Sequence, residues 1–160
     1  MLHRWFHAPH ARRWFAARGA TVADVTEEYG LDGSVPIHVY IVSMDGVPIG
    51  MVQWLRFGDF DWLMKDYDVT DPQAVNCDVL IGEPAATHRG LGPPMVLRFL
   101  REIVFEDPTL TTCIIDPEVE NAIAIRAYEK AGFRFVREVN DDRGAAVHRM
   151  ELGRAALMSR

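Results

Sequence analysis

The sequence predicts an α/β fold built on a mixed β-sheet, and three observations carry that prediction. The stretch from Asn76 to Arg101, NCDVLIGEPAATHRGLGPPMVLRFLR, passes from a short apolar strand through a glycine turn into a helix that opens on two prolines. A second strand at Thr111–Ile115 and a second helix at Asn121–Ala131 repeat that order. Strand, helix, strand, helix in succession implies parallel neighbours joined by a right-handed crossover. Asp45-Gly46, between two strand-like runs, marks a hairpin. With 49% apolar and 25% charged residues, 160 residues suit one domain, 1–160, with its own core.

In chain order, Leu2, Trp5 and Phe6, then Trp14 and Phe15, have helical spacing on either side of Pro9, which predicts two short helices. Thr21 with Asp24 three residues on reads as a capping box, Val22, Val25 and Tyr29 give that helix an apolar face, and Gly30 stops it. Ile37–Val42 and Val47–Leu55 form the hairpin, expected at the middle of the sheet. Residues 57–71 read as a loop dense in carboxylates and aromatics, among them Asp59, Asp61, Trp62, Asp66, Tyr67, Asp68 and Asp71. Its plain reading is a solvated acidic loop. The sharper one is a lid that offers negative charge and flat apolar faces to a polycation.

Cys77–Ile81 reads as the buried strand and Glu83–Gly92 as the loop after it. From Pro93 the helix shows Met95, Val96, Phe99, Leu100 and Ile103 at intervals of three and four. The two prolines suit its first turn, where no N–H is needed for internal bonds. Phe105–Pro108 ends it. Phe133–Val139 and Ala145–Leu152 close the chain as a second hairpin, and the last eight residues read as a frayed tail.

Composition narrows the function. A net charge of -6, from 17 basic and 23 acidic residues, argues against nucleic acid and anionic membrane as partners and suits a cationic small molecule. Cys77 and Cys113 lie in apolar strands and read as free thiols, with no disulfide framework and no metal site. No long apolar run or signal-like start appears, so a cytoplasmic location is expected.

The strand, bare turn and helix N-terminus make an anion site, since backbone N–H groups converge there and the helix dipole favours negative charge. Alone this is weak, because plain strand–helix connections look the same. The second block, DPEVEN followed by AIAIRAYEKAGF from Asp116 to Phe133, adds specificity. Together the two blocks resemble the GCN5-related N-acetyltransferases (GNAT), and among them the aminoglycoside 6'-N-acetyltransferases and the siderophore-lysine acyltransferases. The resemblance implies a central, mixed, splayed sheet with helices on both faces. Family members usually carry a strand before the first helix; here either the chain is truncated at its start or the sheet lacks that strand.

The resemblance further implies acetyl-CoA as co-substrate and no metal. Its pyrophosphate would rest on the amides of Arg89, Gly90, Leu91 and Gly92, and its pantetheine arm would pair with the strand edge at Leu80 and Ile81. Asn121, a natural N-cap, would also bond that arm. Tyr128 matches the proposed general acid, although a tyrosine on a core-facing stripe is the commoner role for such a residue. Asp78 and Asp116 match acceptor-binding carboxylates, Asp78 also as the group that takes the amine's proton. Trp5 is expected among the aromatics that floor the acceptor pocket. Asp78 is conspicuous without any resemblance, because a carboxylate inside an apolar strand is costly unless it has a partner. The expected partner is a cationic amine such as an aminoglycoside. A siderophore lysine, or acyl-CoA binding without turnover, stands as the alternative, and the protein is expected as a monomer or homodimer.

Overall fold

The computed structural model describes residues 1–16, 19–29 and 33–159. Six strands, β1 (Ile37–Met44), β2 (Val47–Arg56), β3 (Val75–Ile81), β4 (Thr112–Ile115), β5 (Arg134–Asn140) and β6 (Ala146–Gly153), form one sheet in the order β1-β2-β3-β4-β6-β5. β3 and β4 run parallel and the other neighbours antiparallel. The helices are α1 (Leu2–Phe6), α2 (Arg12–Phe15), α3 (Val22–Glu28), α4 (Asp61–Asp66), α5 (Gly92–Glu102), α6 (Ala122–Ala131) and α7 (Arg154–Met158).

The first hairpin is not the middle of the sheet: β1 lies at one edge, and among the described residues no strand lies outside it. The centre belongs to the parallel pair β3–β4, which has two strands on either side of it and helices over both faces. The burial of the two kinds of strand agrees, β1 alternating between half-buried and exposed while β3 is buried or half-buried throughout.

Strand alternation sorts side chains onto two faces. On one face Val52, Val75, Cys77, Cys113 and Ile115 pack against Val96, Phe99 and Leu100 of α5 and Tyr128 and Ala131 of α6. On the other, Met51 and Leu80 pack against Leu2, Trp5, Phe6, Val25 and Tyr29 from the N-terminal helices. A third cluster joins Ile114 and Val147 to Phe57, Leu63, Tyr67 and Val69. Helices therefore cover both faces, each presenting the apolar stripe its spacing gives it.

Local signals behave as their chemistry dictates. Thr21 and Asp24 form the capping box, each side chain bonding the other's backbone N–H; Gly30 lies outside the described residues. Asn121 Oδ1 accepts from the N–H of Ala124 at 3.1 Å to start α6, and Gly132 stops it at φ 99°. Two segments differ from the sequence reading. Residues 57–71 are not a loop but a 3₁₀ turn followed by α4, because Phe57, Leu63, Tyr67 and Val69 all point inward from between the carboxylates. The tail is not frayed, since α7 buries Leu157 fully in the main core.

The functional consequence of the fold lies between β3 and β4. They pair only at Val75 with Cys113 and Asn76 with Ile114. β3 then continues to Ile81 beside β2, while β4 ends at Ile115. The sheet splits at its centre, and among the described residues no strand pairs with β3 beyond Asn76 on that side.

Candidate functional site

Asp78 and Asp116 fall on the sheet face that carries the N-terminal helices, by alternation from Cys77 and Ile115 on the other. Tyr128 belongs to α6 on the opposite face. The split brings them together: all three line one cavity of about 100 Å³ with Asn121, Trp14 and Phe15. Through Asp78 and Asp116 this cavity adjoins a larger one of about 280 Å³ under α3 and α4. Through Tyr128, Asn121 and Val79 it adjoins a trough, also of about 280 Å³, lined by Leu80, Ile81, Thr87, His88 and the turn from Gly90 to Pro93, whereas Arg89 lines a different cavity, beside Arg4 and Glu83. Two compartments thus meet at one point, a carboxylate on one side and a phenol on the other.

Both carboxylates are half-buried, and each is held by an amide. Gln53 Nε2 donates to Asp78 Oδ2 at 2.7 Å. Asn76 Nδ2 donates to Asp116 Oδ1 at 2.9 Å, and the hydroxyl of Tyr67 donates to Oδ2. Gln53 and Asn76 are the buried polar side chains of the described core, 5% and 7% exposed. Sequence reasoning passes over both. The signal was present, since an amide inside an apolar strand is costly without a partner, and Asn76 stands two residues before Asp78 on the same face.

Trp5 is placed otherwise than expected. Its side chain is fully buried among Leu2, Phe6, Met51 and Leu80, with the indole N–H donating to Glu83 at 2.7 Å, and it lines neither compartment. It packs so closely over the end of β3 that a Cβ on Gly82 would lie 2.1 Å from its ring. The spacing of Leu2, Trp5 and Phe6 directs all three into the core, and Trp14 of α2 takes the position at the junction. Arg13 holds Trp14 there, its guanidinium 4.6 Å from the ring centre and ion-paired to Glu120.

The larger cavity also departs from expectation. Its apolar wall is the predicted one, with Phe60, Trp62, Leu63 and Tyr67, but the carboxylates of residues 57–71 do not line it. Asp59 is bound to Arg56 and Asp68 to Arg137, while Asp71 accepts from the Gln73 N–H and the Thr111 hydroxyl. Asp78 and Asp116 line it instead, with Glu27 and Glu28 of the third helix and Asp142 of the last hairpin, Glu28 being paired with Arg143.

Burial pushes the Tyr128 phenol well above its ordinary range, and the nearby Asp78 and Asp116 push it further. The hydroxyl therefore keeps its proton and acts as a hydrogen-bond donor before anything else. Burial likewise keeps Cys77 a neutral thiol, beside the buried Cys113.

At the glycine turn, His88 and Gly90 have positive φ, 57° and 70°, and Leu91 is right-handed. Such alternation turns successive N–H groups toward one side. Pro93 and Pro94 supply no N–H, and that of Met95 is bonded to Leu91, so an anion at this helix start has only Gly92 and the turn itself as backbone donors. Nothing lies within 4 Å of a Cβ on Gly90, so a substitution acts through the backbone. Gly90→Val, β-branched in a left-handed position, is expected to weaken CoA binding at least tenfold while leaving the fold intact. Calorimetric titration with CoA checks this, and an unchanged affinity would contradict it.

Comparison with known proteins bears on this arrangement. A family model described as an acetyltransferase (GNAT) domain matches residues 1–141. The chain is 34% identical over 161 residues to an aminoglycoside N(6')-acetyltransferase type 1 of Klebsiella pneumoniae, covering 97% of this chain and 78% of that one. It is 27% identical to a lysine N-acyltransferase, MbtK, of Mycolicibacterium paratuberculosis, over 86% of this chain and 62% of the relative. The solved aminoglycoside acetyltransferase AAC(6')-Ib, in complex with coenzyme A and kanamycin, superposes with a TM-score of 0.84 at 32% identity, covering 99% of this chain and 91% of that one.

Proposed function

The chain belongs to the GNAT acetyltransferase family, and from that premise we propose that it transfers the acetyl group of acetyl-CoA to an amine of a polycationic sugar, the 6'-amine of an aminoglycoside such as kanamycin. The observation that carries this reading is the meeting of Asp78 and Asp116 with Tyr128 across the split between β3 and β4. A carboxylate compartment fits a cationic acceptor, a trough ending in a glycine turn fits CoA, and the phenol stands where they join.

Acetyl-CoA supplies the activated thioester carbonyl. The turn from Arg89 to Gly92 holds its phosphates, and Leu80, Ile81 and Asn121 hold the arm that follows. Asp78 binds the acceptor amine as a counter-ion and points it at the split. Attack requires a neutral nitrogen, and an ordinary carboxylate is a poor base for an ammonium. The acceptor therefore reacts through its neutral form, its first proton lost to solvent; as the N–C bond forms the nitrogen becomes strongly acidic, Asp78 takes the second proton, and the C–S bond breaks. Tyr128, still protonated, donates to the departing sulfur. Asp116, fixed by Tyr67 and Asn76, binds a further ammonium of the acceptor, while Trp62 and Phe60 cover its ring faces.

The test is release of free CoA against a panel of aminoglycosides, linear polyamines and lysine derivatives at increasing salt. Attraction between a polycation and several carboxylates weakens as the Debye length falls from about 10 Å at 0.1 M salt to about 3 Å at 1 M. KM for kanamycin is therefore expected to rise steeply with salt. Preference for a neutral or anionic acceptor, or a KM indifferent to salt, would overturn the reading.

A further inference from the structure

We propose that Gln53 is a positioning residue of the transfer site, its Nε2 fixing the Asp78 carboxylate and its Oε1 accepting a second N–H of the acceptor amine. This rests on the reading of the carboxylate compartment as the acceptor site. Gln53 sits on β2 directly opposite Asp78 in the antiparallel register. It is 5% exposed and lines the larger cavity beside Asp78. The amide's orientation is fixed by chemistry: a carboxylate only accepts, so the group facing Asp78 at 2.7 Å must be the NH₂. Oε1 is thereby turned away from Asp78. It is buried and has no hydrogen-bond partner among the described residues.

Buried acceptors are almost always satisfied, so Oε1, unpartnered on a side chain that lines the cavity, calls for a donor that arrives with a ligand. An attacking amine offers that donor. A neutral primary nitrogen has one lone pair and two N–H bonds in tetrahedral array. With one N–H on Asp78 and the other on Gln53 Oε1, the lone pair has one direction left. Two adjacent acceptors therefore orient the nucleophile, where a single carboxylate would leave it free to rotate. Orientation of this kind is a large part of what an active site contributes to rate.

The experiment is a double-mutant cycle of Gln53→Met and Asp78→Ala, read in kcat/KM by CoA release and in kanamycin affinity by calorimetry. Methionine keeps the volume of glutamine without its polar atoms. Gln53→Asn, which stays polar but falls short of Asp78, serves in its place if thermal melting shows the Met variant unfolded. In the Asp78 background, Gln53→Met is expected to lower kcat/KM at least tenfold, chiefly in kcat, with KM for acetyl-CoA unchanged. In the Asp78→Ala background the same change is expected to cost less than about twofold, because residues acting as a unit are not additive. Equal losses in both backgrounds would assign Gln53 to packing and overturn the inference. Coupled losses of kanamycin affinity, with no CoA released from acetyl-CoA in the presence of any acceptor, would support the role of Gln53 and sink acetyl transfer.

Discussion

Asp78→Asn is expected to lower kcat/KM for kanamycin by about 10² to 10³-fold, the usual effect of losing a placed proton acceptor together with its charge. The substitution is nearly isosteric. Asparagine at 78 can still accept from Gln53 through its side-chain oxygen, so the strand and its register to β2 should survive. What disappears is the negative charge opposite the ammonium and the capacity to take its proton. The control is Asp68→Asn. Asp68 is paired with Arg137 in a bridge whose side chains are 59% and 52% exposed, and it does not line the cavity. Such a pair contributes little, so kcat/KM should change less than about twofold. Steady-state kinetics of the two variants side by side, with melting temperatures to confirm folding, make the comparison. Equal effects would mean that only the overall field matters and that Asp78 has no special contact.

Tyr128→Phe is expected to lower kcat by about 10²-fold while acetyl-CoA affinity changes less than about threefold. The ring packs edge-on against Phe133 at 5.8 Å between centres, and phenylalanine preserves that contact. Only the hydroxyl is lost. Because burial and two carboxylates hold its proton firmly, its effect on the leaving sulfur is as a donor, strongest once charge has developed there. The loss should therefore appear in kcat. A raised KM with unchanged kcat would make Tyr128 a binding or packing residue.

The sequence made the local elements legible and the assembly less so. The capping box at Thr21, the two prolines opening α5 and the N-cap at Asn121 all report short-range chemistry, and each stands where its residues imply. The parallel β3–β4 pair was legible from the order of strand and helix. The place of the first hairpin was not, because a two-residue turn fixes register between β1 and β2 but says nothing of which strand joins them next. Trp5 shows the same limit at the site. Helical spacing tells which residues share a face, and here that face turns inward, so the aromatic at the junction is Trp14. The carboxylates of residues 57–71 looked like a charged rim because pattern cannot show that Asp59 and Asp68 have cations of their own. Gln53 and Asn76 are legible only in part: an amide in an apolar strand signals that it needs a partner, but which carboxylate it holds appears only with the assembled sheet.

The central claim is that a cationic amine and acetyl-CoA meet at the split between β3 and β4. The most direct measurement is the reaction of the unmodified protein with acetyl-CoA and kanamycin, following free CoA and identifying the acetylated nitrogen by NMR. One equivalent of CoA released per acetyl group, all of it on the 6'-amine, is the predicted result. CoA release no faster with kanamycin than without it, or acetyl groups scattered over several amines, would contradict the account.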